Sequence, residues 1–240
     1  MLCDVVLPVY NEQEQIRDSV LKLRAFLKEN LKIPWQIVVA DNGSTDGTLK
    51  LARELGQEFP DVKAMHMEQK GRGRALRRVW MESQSDILSY MDIDLSTDLS
   101  AFPPLAGAIA EGYDIAIGSR LSRGAKVKRS LKREITSRAY NVIVKIIHQT
   151  RFSDAQCGFK AISRLAARDL LPLTKDNEWF FDTELLILAE KKGYRIKEIP
   201  VKWIEDPGTT VKVLKTAYKD IKGLLRLKFS PSLFKDKKKT

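Results

Sequence analysis

The chain has 240 residues, 43% of them hydrophobic, and a net charge of +11 from 42 Lys and Arg against 31 Asp and Glu. That length accommodates one sizeable α/β domain with a full core, and no apolar run approaches the roughly 20 residues needed to cross a bilayer as a helix. The charge is placed rather than spread: Ser119 to Arg138 holds eight Lys or Arg against Glu134 alone, and Lys222 to Thr240 holds seven against Asp236 alone, which points to phosphates, an anionic membrane surface or nucleic acid.

Leu2 to Val9 reads as a first strand with no leader pattern ahead of it, and Tyr10-Asn11-Glu12 as the loop before a helix in which Ile16, Val20, Leu23 and Leu27 recur every three or four residues. Trp35 to Ala40 reads as a second strand, ending in Asp41-Asn42-Gly43-Ser44-Thr45-Asp46-Gly47-Thr48, where short polar side chains can cap the next helix. Two rounds of strand, polar loop and helix predict a parallel sheet with right-handed crossovers and a ligand site along its carboxyl edge. Val62 to Met67 gives a weaker third strand ahead of Gln69-Lys70-Gly71-Arg72-Gly73-Arg74-Ala75-Leu76. Glycines and cations in front of a helix suit a diphosphate. Leu76 stands where a dinucleotide fingerprint needs its third glycine, and no Walker Gly-Lys-Ser/Thr follows.

Ile87, Leu88, Tyr90 and Met91 form a short apolar run of the kind that makes a buried strand, and Asp92 and Asp94 stand one residue apart at its end. Two carboxylates so placed suit a hard cation, Mg²⁺ or Mn²⁺, that takes its remaining ligands from phosphate and water. A helix over about Phe102 to Glu111 and a strand over Asp114 to Gly118 follow, the latter ending in Ser119-Arg120. In the next helix Leu131, Ile135, Val142, Ile143, Ile146 and Ile147 mark one side. Asp154 to Lys160 reads as a compact polar loop followed by a helical stretch, and Trp179 to Leu185 opens another helix whose Asp182 and Glu184 face its dipole. Cys3 and Cys157 show no metal-ligand spacing and read as free thiols of a reducing compartment.

Ile196 to Trp203 reads as a late strand. Past Asp206-Pro207-Gly208, residues Lys212, Lys215, Lys219, Lys222 and Arg226 share one helix face, and Leu214, Tyr218, Ile221 and Leu225 a neighbouring one. That pattern fits a helix on a membrane surface and equally one docked on its own domain. The expected organisation is a catalytic domain over 1–210, a basic amphipathic helix over 211–229 and a disordered basic tail over 230–240.

Val5-Val6-Leu7-Pro8-Val9-Tyr10-Asn11-Glu12, the Asp41 to Thr48 run and Asp92-Ile93-Asp94 together resemble the inverting family 2 glycosyltransferases of GT-A fold, over nearly the whole chain. Gly118-Ser119-Arg120, Lys128-Arg129-Ser130, Asp154 to Lys160, Phe181 to Leu186 and Val201-Lys202-Trp203 resemble more specifically the polyprenyl-phosphate sugar synthases. Within that group the similarity is greatest to the dolichyl-phosphate β-glucosyltransferases, with the dolichol-phosphate mannose synthases next. The resemblance implies a Rossmann-like, mostly parallel sheet flanked by helices. It implies a nucleotide-sugar pocket at Pro8, Tyr10, Glu12 and Asp41, with Lys70 and Arg74 toward the diphosphate and a metal on Asp92 and Asp94. Arg120 and Arg133 match the arginines that grip the acceptor phosphate, as a guanidinium fork suits that dianion. Asp154 matches a position assigned as base or acceptor organiser, with Asp182 in reserve. The implied partners are UDP-glucose, or next GDP-mannose, a polyprenyl (dolichyl) phosphate and the cytoplasmic face of a membrane.

The chain departs from these relatives at Gly208-Thr209-Thr210, which lacks the lysine of their donor-phosphate loop unless Lys212 replaces it. Glu205-Asp206, where mannose synthases carry an arginine, favours glucose. Two alternatives remain at this level. Transfer to a saccharide or protein hydroxyl needs a true base, Asp154 or Asp182, and makes Arg120 and Arg133 unimportant. A nucleic-acid-binding role rests only on the basic windows, which lack interleaved aromatic residues, so no nucleic-acid partner is expected.

Overall fold

The computed structural model describes residues 1–205 and 213–234. Strand segments made almost wholly of Val, Ile, Leu and Ala must be covered on both faces, and the chain achieves this with helices above and below one sheet. β1 (Cys3–Val9), α1 (Ile16–Asn30), β2 (Trp35–Asn42), α2 (Thr48–Glu58), β3 (Val62–Met67), α3 (Arg72–Glu82) and β4 (Ile87–Met91) form the first half. β1 pairs in parallel with β2 on one side and β4 on the other, and β2 pairs in parallel with β3. Sheet order therefore reverses between β1 and β4, and the crevice outside their carboxyl ends is where an open α/β sheet takes its ligand.

The second half contains α4 (Phe102–Ala110), β5 (Ile115–Ser119), β6 (Lys126–Lys128), α5 (Leu131–His148), β7 (Phe159–Ser163), α6 (Arg164–Leu170), α7 (Phe181–Lys191), β8 (Ile196–Pro200), β9 (Lys202–Ile204) and α8 (Val213–Lys228). The seven-stranded sheet has the order β3-β2-β1-β4-β7-β5-β8, with β7 antiparallel to both β4 and β5. Side chains alternate along the strands between two cores. Val5, Leu7, Ile37 and Val39 meet α1, α2 and α4 through Val20, Leu55 and Phe102. Val6, Val38, Leu88 and Tyr90 meet α3 and α5 to α8 through Trp80, Val144, Leu170, Leu185 and Leu224.

Three features differ from the sequence expectation. Phe159–Ser163, expected as the end of a polar loop and the start of a helical stretch, is the inserted antiparallel strand; its five residues include Lys160, which hides the apolar run. The late strand over Ile196 to Trp203 breaks at Val201, so that β8 joins the main sheet while β9 pairs in parallel with β6 in a separate two-stranded ribbon. The third concerns α5: Leu131, Ile135, Val142, Ile143 and Ile146 are exposed, and the buried residues are Asn141, Val144 and His148. Cys3 and Cys157 are buried free thiols. The turn at Asp206, the Gly208-Thr209-Thr210 loop, Lys212 and the end of the tail lie outside the described residues, and Leu214 and Lys215 have no described side chain.

α8 docks through Asp220, Leu224 and Leu227, with Gly223 at the Phe180 ring, where a Cβ would overlap it. The Asp220 carboxylate accepts from Gln156 Nε2 at 2.9 Å. Burial pushes this carboxyl up to about 7, the charge of Asp176 adds to the shift, and hydrogen bonds from Gln156 and Tyr140 oppose it. The folded value exceeds the unfolded one of about 3.9. The native state thus holds a proton that the unfolded chain has lost, and stability falls as pH rises from about 4 to about 7. Asp220→Asn should therefore raise the melting temperature more at pH 8 than at pH 5; an equal effect at both would refute the assignment.

Candidate active site

The site is assembled from loops at the carboxyl edge. Two of them are tied together: Asn11 N donates to Ser44 Oγ at 2.9 Å, Thr45 N to Asn11 Oδ1 at 2.8 Å, and Glu12 N to Thr48 Oγ1 at 2.7 Å. Asn11 has φ of 58°, a left-handed conformation that asparagine tolerates better than most residues, and it lets the chain turn sharply after β1. Pro8 is the β1 residue opposite Ala40, and Tyr10 receives Lys70, whose Nζ lies 3.2 Å from the ring centroid. Asp41, fully buried at the end of β2, meets His66 Nδ1 through Oδ2 at 2.6 Å. His66 belongs to β3, and nothing in its local pattern marks it; parallel register places it opposite Asp41.

In the basic loop before α3 the glycines serve packing. A Cβ on Gly73 would overlap Phe181, and one on Gly71 would lie 2.6 Å from the Asn177 carbonyl oxygen. Two amides of this loop are already occupied: Gly71 N donates to Asn42 Oδ1 at 3.0 Å and Arg74 N to Asn177 O at 3.1 Å. Arg74 turns its guanidinium back onto the Lys70 carbonyl at 2.8 Å. The cation that reaches the paired carboxylates is Arg72, whose Nη2 donates to Asp92 Oδ1 at 2.6 Å and whose Nη1 lies 3.9 Å from Asp182 Oδ2. Its guanidinium sits between Tyr90 and Trp179, 5.0 and 4.9 Å from their centroids.

Asp92 and Asp94 follow β4 in a tight turn, with Leu95 N donating to Asp92 O and Leu95 itself at φ of 50°. A branched side chain in that conformation costs about 1–3 kcal/mol and persists only where surrounding bonds impose it, a pattern that clusters at functional sites. Asp94 Oδ1 accepts from Ser96 N at 2.9 Å. Partial burial pushes the Asp92 carboxyl above the usual carboxylate range, Arg72 pulls it back, and the negative charges of Asp94 and Asp182 push it up again. This crowding of negative charge fits a divalent cation, which would relieve it. Among the described residues no group of three or more His, Cys, Asp or Glu converges as a metal site, so most ligands would come from phosphate and water. Gly158 completes the cradle, because a Cβ there would overlap Asp92 Oδ2.

A second centre lies at the other end of the Asp154 to Gly158 loop. Asp154 is fully buried and receives Arg120 Nε at 2.8 Å, Arg120 Nη2 at 2.9 Å and the Arg120 amide at 3.0 Å. Burial alone would raise this carboxyl, but the Arg120 guanidinium and its hydrogen bonds hold it below the usual range. Arg120 also lies 5.5 Å from the Trp203 ring on β9, and two residues on Glu205 Oε1 meets Arg133 Nε at 2.8 Å. β9 and the Glu205 that follows it thus meet both Arg120, just past β5, and Arg133, on α5. Asp182 Oδ1 accepts from Tyr90 Oη and, at 2.8 Å, from Lys160 Nζ; that ammonium also donates to the carbonyls of Ala155 at 3.1 Å and Cys157 at 2.9 Å. The signal for Lys160 is a lysine inside Phe159-Lys160-Ala161-Ile162, visible only to a reader who already takes that segment as a strand.

The family pattern of glycosyl transferase family 2 matches residues 4–171. Glycosyltransferase AglD of Haloferax volcanii is 37% identical over 226 residues, which is 92% of this chain and 35% of that one, so the chain spans about a third of that relative. Dolichyl-phosphate beta-glucosyltransferase of Saccharomyces cerevisiae is 31% identical over 259 aligned positions, covering 98% of this chain and 77% of that one. Glucosyl-3-phosphoglycerate synthase from Mycobacterium tuberculosis, crystallised with Mn²⁺, uridine-diphosphate and phosphoglyceric acid, superposes with a TM-score of 0.72 at 20% identity, over 95% of this chain and 78% of that one, a likeness of fold.

Replacing Lys160 by Met removes three donors from the interior and leaves the buried Asp182 carboxylate with Tyr90 and the more distant Arg72, 3.9 Å away. Such a break costs roughly 3–5 kcal/mol. A urea midpoint unchanged from that of the parent chain would contradict this account of the network.

Proposed function

The chain belongs to glycosyl transferase family 2 and has its GT-A fold, and on that premise we propose that it transfers a hexose, glucose in preference to mannose, from a nucleotide sugar to a polyprenyl (dolichyl) phosphate at the cytoplasmic face of a membrane. One observation carries this reading. The five-residue loop from Asp154 to Gly158 abuts the Asp92 carboxylate at one end and holds the Arg120 guanidinium at the other, so the paired-carboxylate centre and a cationic centre share one support.

On this reading Pro8, Tyr10, Glu12 and Asp41 receive the nucleoside, with Asp41 oriented by His66. Asp92 and Asp94 hold Mg²⁺ or Mn²⁺ against the donor diphosphate, and when bound the cation stabilises the departing nucleoside diphosphate. Arg72, between Tyr90 and Trp179, supplies a fixed positive charge beside the same carboxylate, and Lys70 a second one over Tyr10. Arg120 and Arg133 grip the acceptor phosphate. A phosphomonoester is already an anionic nucleophile, so the reaction depends on positioning more than on proton removal. The carboxylates agree with that: Asp154 is committed to three donors from Arg120, and Asp182 to Tyr90 and Lys160. Asp154 therefore acts as a positioning residue for Arg120. The glucosyl preference is supported by the dolichyl-phosphate beta-glucosyltransferase relative and by Glu205, which pairs with Arg133 where mannose synthases carry a cation.

The test is transfer of labelled sugar to an organic-extractable product, using purified chain, detergent-dispersed polyprenyl phosphate, and UDP-glucose or GDP-mannose, with Mn²⁺ or chelator. Product from UDP-glucose that vanishes with chelator is expected. Asp94→Ala should lower the rate by about 10²-fold or more, the scale of losing a preorganised electrostatic contact. Arg133→Ala should raise the KM for the lipid phosphate more than it lowers kcat. Absence of product from both donors, or a metal-independent rate, would overturn the proposal and favour a hydroxyl acceptor.

A further inference from the structure

The start of α5 inverts an ordinary cap. A capping box sets a glutamate at the third helical position, where its carboxylate bonds the amide of the N-cap residue. Here Ser130 is the N-cap and Arg133 stands at the third position. The carboxylate comes instead from Glu205, the residue after β9: its Oε2 accepts from Ser130 N at 2.6 Å and its Oε1 meets Arg133 Nε at 2.8 Å. One carboxylate therefore spans a helix-end amide and a guanidinium, the two kinds of donor that commonly hold a phosphate. The backbone beneath it is tied on both sides, since Ile204 N donates to Ser96 O at 3.0 Å and Glu205 N to Lys128 O at 2.9 Å. The Glu205 carboxylate can leave its two donors by rotation of the side chain alone.

Arg120 and Arg133 are held differently. Asp154 is fully buried and takes both Arg120 Nε and Nη2, whereas the side chains of Glu205 and Arg133 are 20% and 37% exposed. An ion pair so open to water is weak, and an incoming anion can replace it. Charge says which anion. Around the first turns of α5, Arg129, Arg133 and Arg138 meet two carboxylates, Glu134 and Glu205. Among the described residues of this group, three positive charges against two negative leave a surplus of one, near the helix end whose dipole is positive. Arg129 Nη2 is moreover buried with no hydrogen-bond partner among the described residues. Exchanging Glu205 for a dianion balances the group; exchanging it for a monoanion changes nothing.

We propose that Glu205 keeps the place of the acceptor phosphate and makes the site select a phosphomonoester over a phosphodiester. This rests on the reading of Arg133 as a residue that grips the acceptor phosphate. A monoester carries a charge of about −1.5 to −2 at pH 7 and three free oxygens, enough to displace a singly charged carboxylate from Ser130 N and Arg133. A diester carries one charge and two free oxygens, and has no such advantage. The proposed transfer turns the first into the second: an acceptor oxygen bonds the sugar carbon as the nucleoside diphosphate departs. The phosphate thereby loses the extra charge that displaced Glu205, which returns as the product leaves. Phosphatidylcholine and phosphatidylserine head groups are phosphodiesters too, and the same exchange keeps them out. Glu205 is thus a specificity-determining residue that acts on the phosphate's donors and not on the reacting atoms.

The experiment is equilibrium binding of two probes with the same tail, geranyl phosphate and its methyl diester, to the whole chain. Phosphorus NMR titration at neutral pH, with no sugar donor present, reads both. The parent chain should bind the monoester about tenfold or more tightly than the diester. Glu205→Gln, which keeps an acceptor for the Ser130 amide and removes the charge, should shrink that preference to about threefold or less, chiefly by strengthening the diester. A parent chain that binds both probes equally overturns the proposal. So does a Gln variant that shifts both probes alike and keeps the preference, the result expected if Glu205 only caps α5. In the transfer assay, the glycosylated product should inhibit the Gln variant at a concentration several times lower than it inhibits the parent; equal inhibition also counts against the proposal. Arg133→Ala separates the two claims. If it abolishes monoester binding while Glu205→Gln leaves the preference intact, Arg133 keeps its role and Glu205 loses its own. Monoester binding that survives Arg133→Ala removes the reading of Arg133, and the proposal with it.

Discussion

A single buried ammonium fixes the geometry of the carboxyl edge. Lys160 lies on the one antiparallel strand of the main sheet and reaches Asp182 on α7, Tyr90 on β4 and two carbonyls of the Asp154 to Gly158 loop. A lysine so enclosed is tolerated only if every proton finds an acceptor, and its four partners come from three different parts of the chain. Meeting that requirement pins the loop between the two charged centres. It also gives Asp182 a structural function that satisfies its charge without solvent.

The same logic of mutual satisfaction runs outward. Asp92 accepts from Arg72, which is sandwiched by aromatic rings; Asp154 accepts from Arg120, which lies over Trp203; Arg133 meets Glu205. Each arginine is thus held in one orientation by a carboxylate, so its side chain has already given up freedom that a solvent-exposed lysine keeps. Glycines keep these groups in register where a Cβ would not fit, Gly158 against Asp92 and Gly73 against Phe181.

Surface and site are parts of one arrangement. α5 carries Arg133 toward the domain and an apolar row away from it, and α8 packs on α5 and meets the Asp154 to Gly158 loop through Asp220 and Gln156. The basic windows noted in the sequence therefore divide into two kinds. Arg120, Arg129 and Arg133 are paired with carboxylates inside the fold, whereas Lys128, Lys132 and Lys145 line its outer face.

Much of this was legible in the chain itself. Local patterns sufficed where one physical signal acted alone: the strand, loop and helix repeats of the first half, the β3 segment Val62–Met67, and Asp92 and Asp94 following a buried strand. They failed where tertiary context reversed the ordinary meaning of a residue. Lys160 disguised β7, because a buried lysine becomes acceptable only once Asp182 and three other oxygens surround it. Arg72 and Arg74 are equivalent by sequence, and only the packing of α3 against Phe181 and Asn177 sends one to Asp92 and folds the other onto Lys70. The periodicity of α5 announced an apolar side without saying where it pointed, since a helix wheel gives relative angles and not the direction of the core. Sequence determined the fold, the family and the groups available for chemistry; the tertiary structure decided which charges pair, because pairing depends on distances that no spacing along the chain encodes.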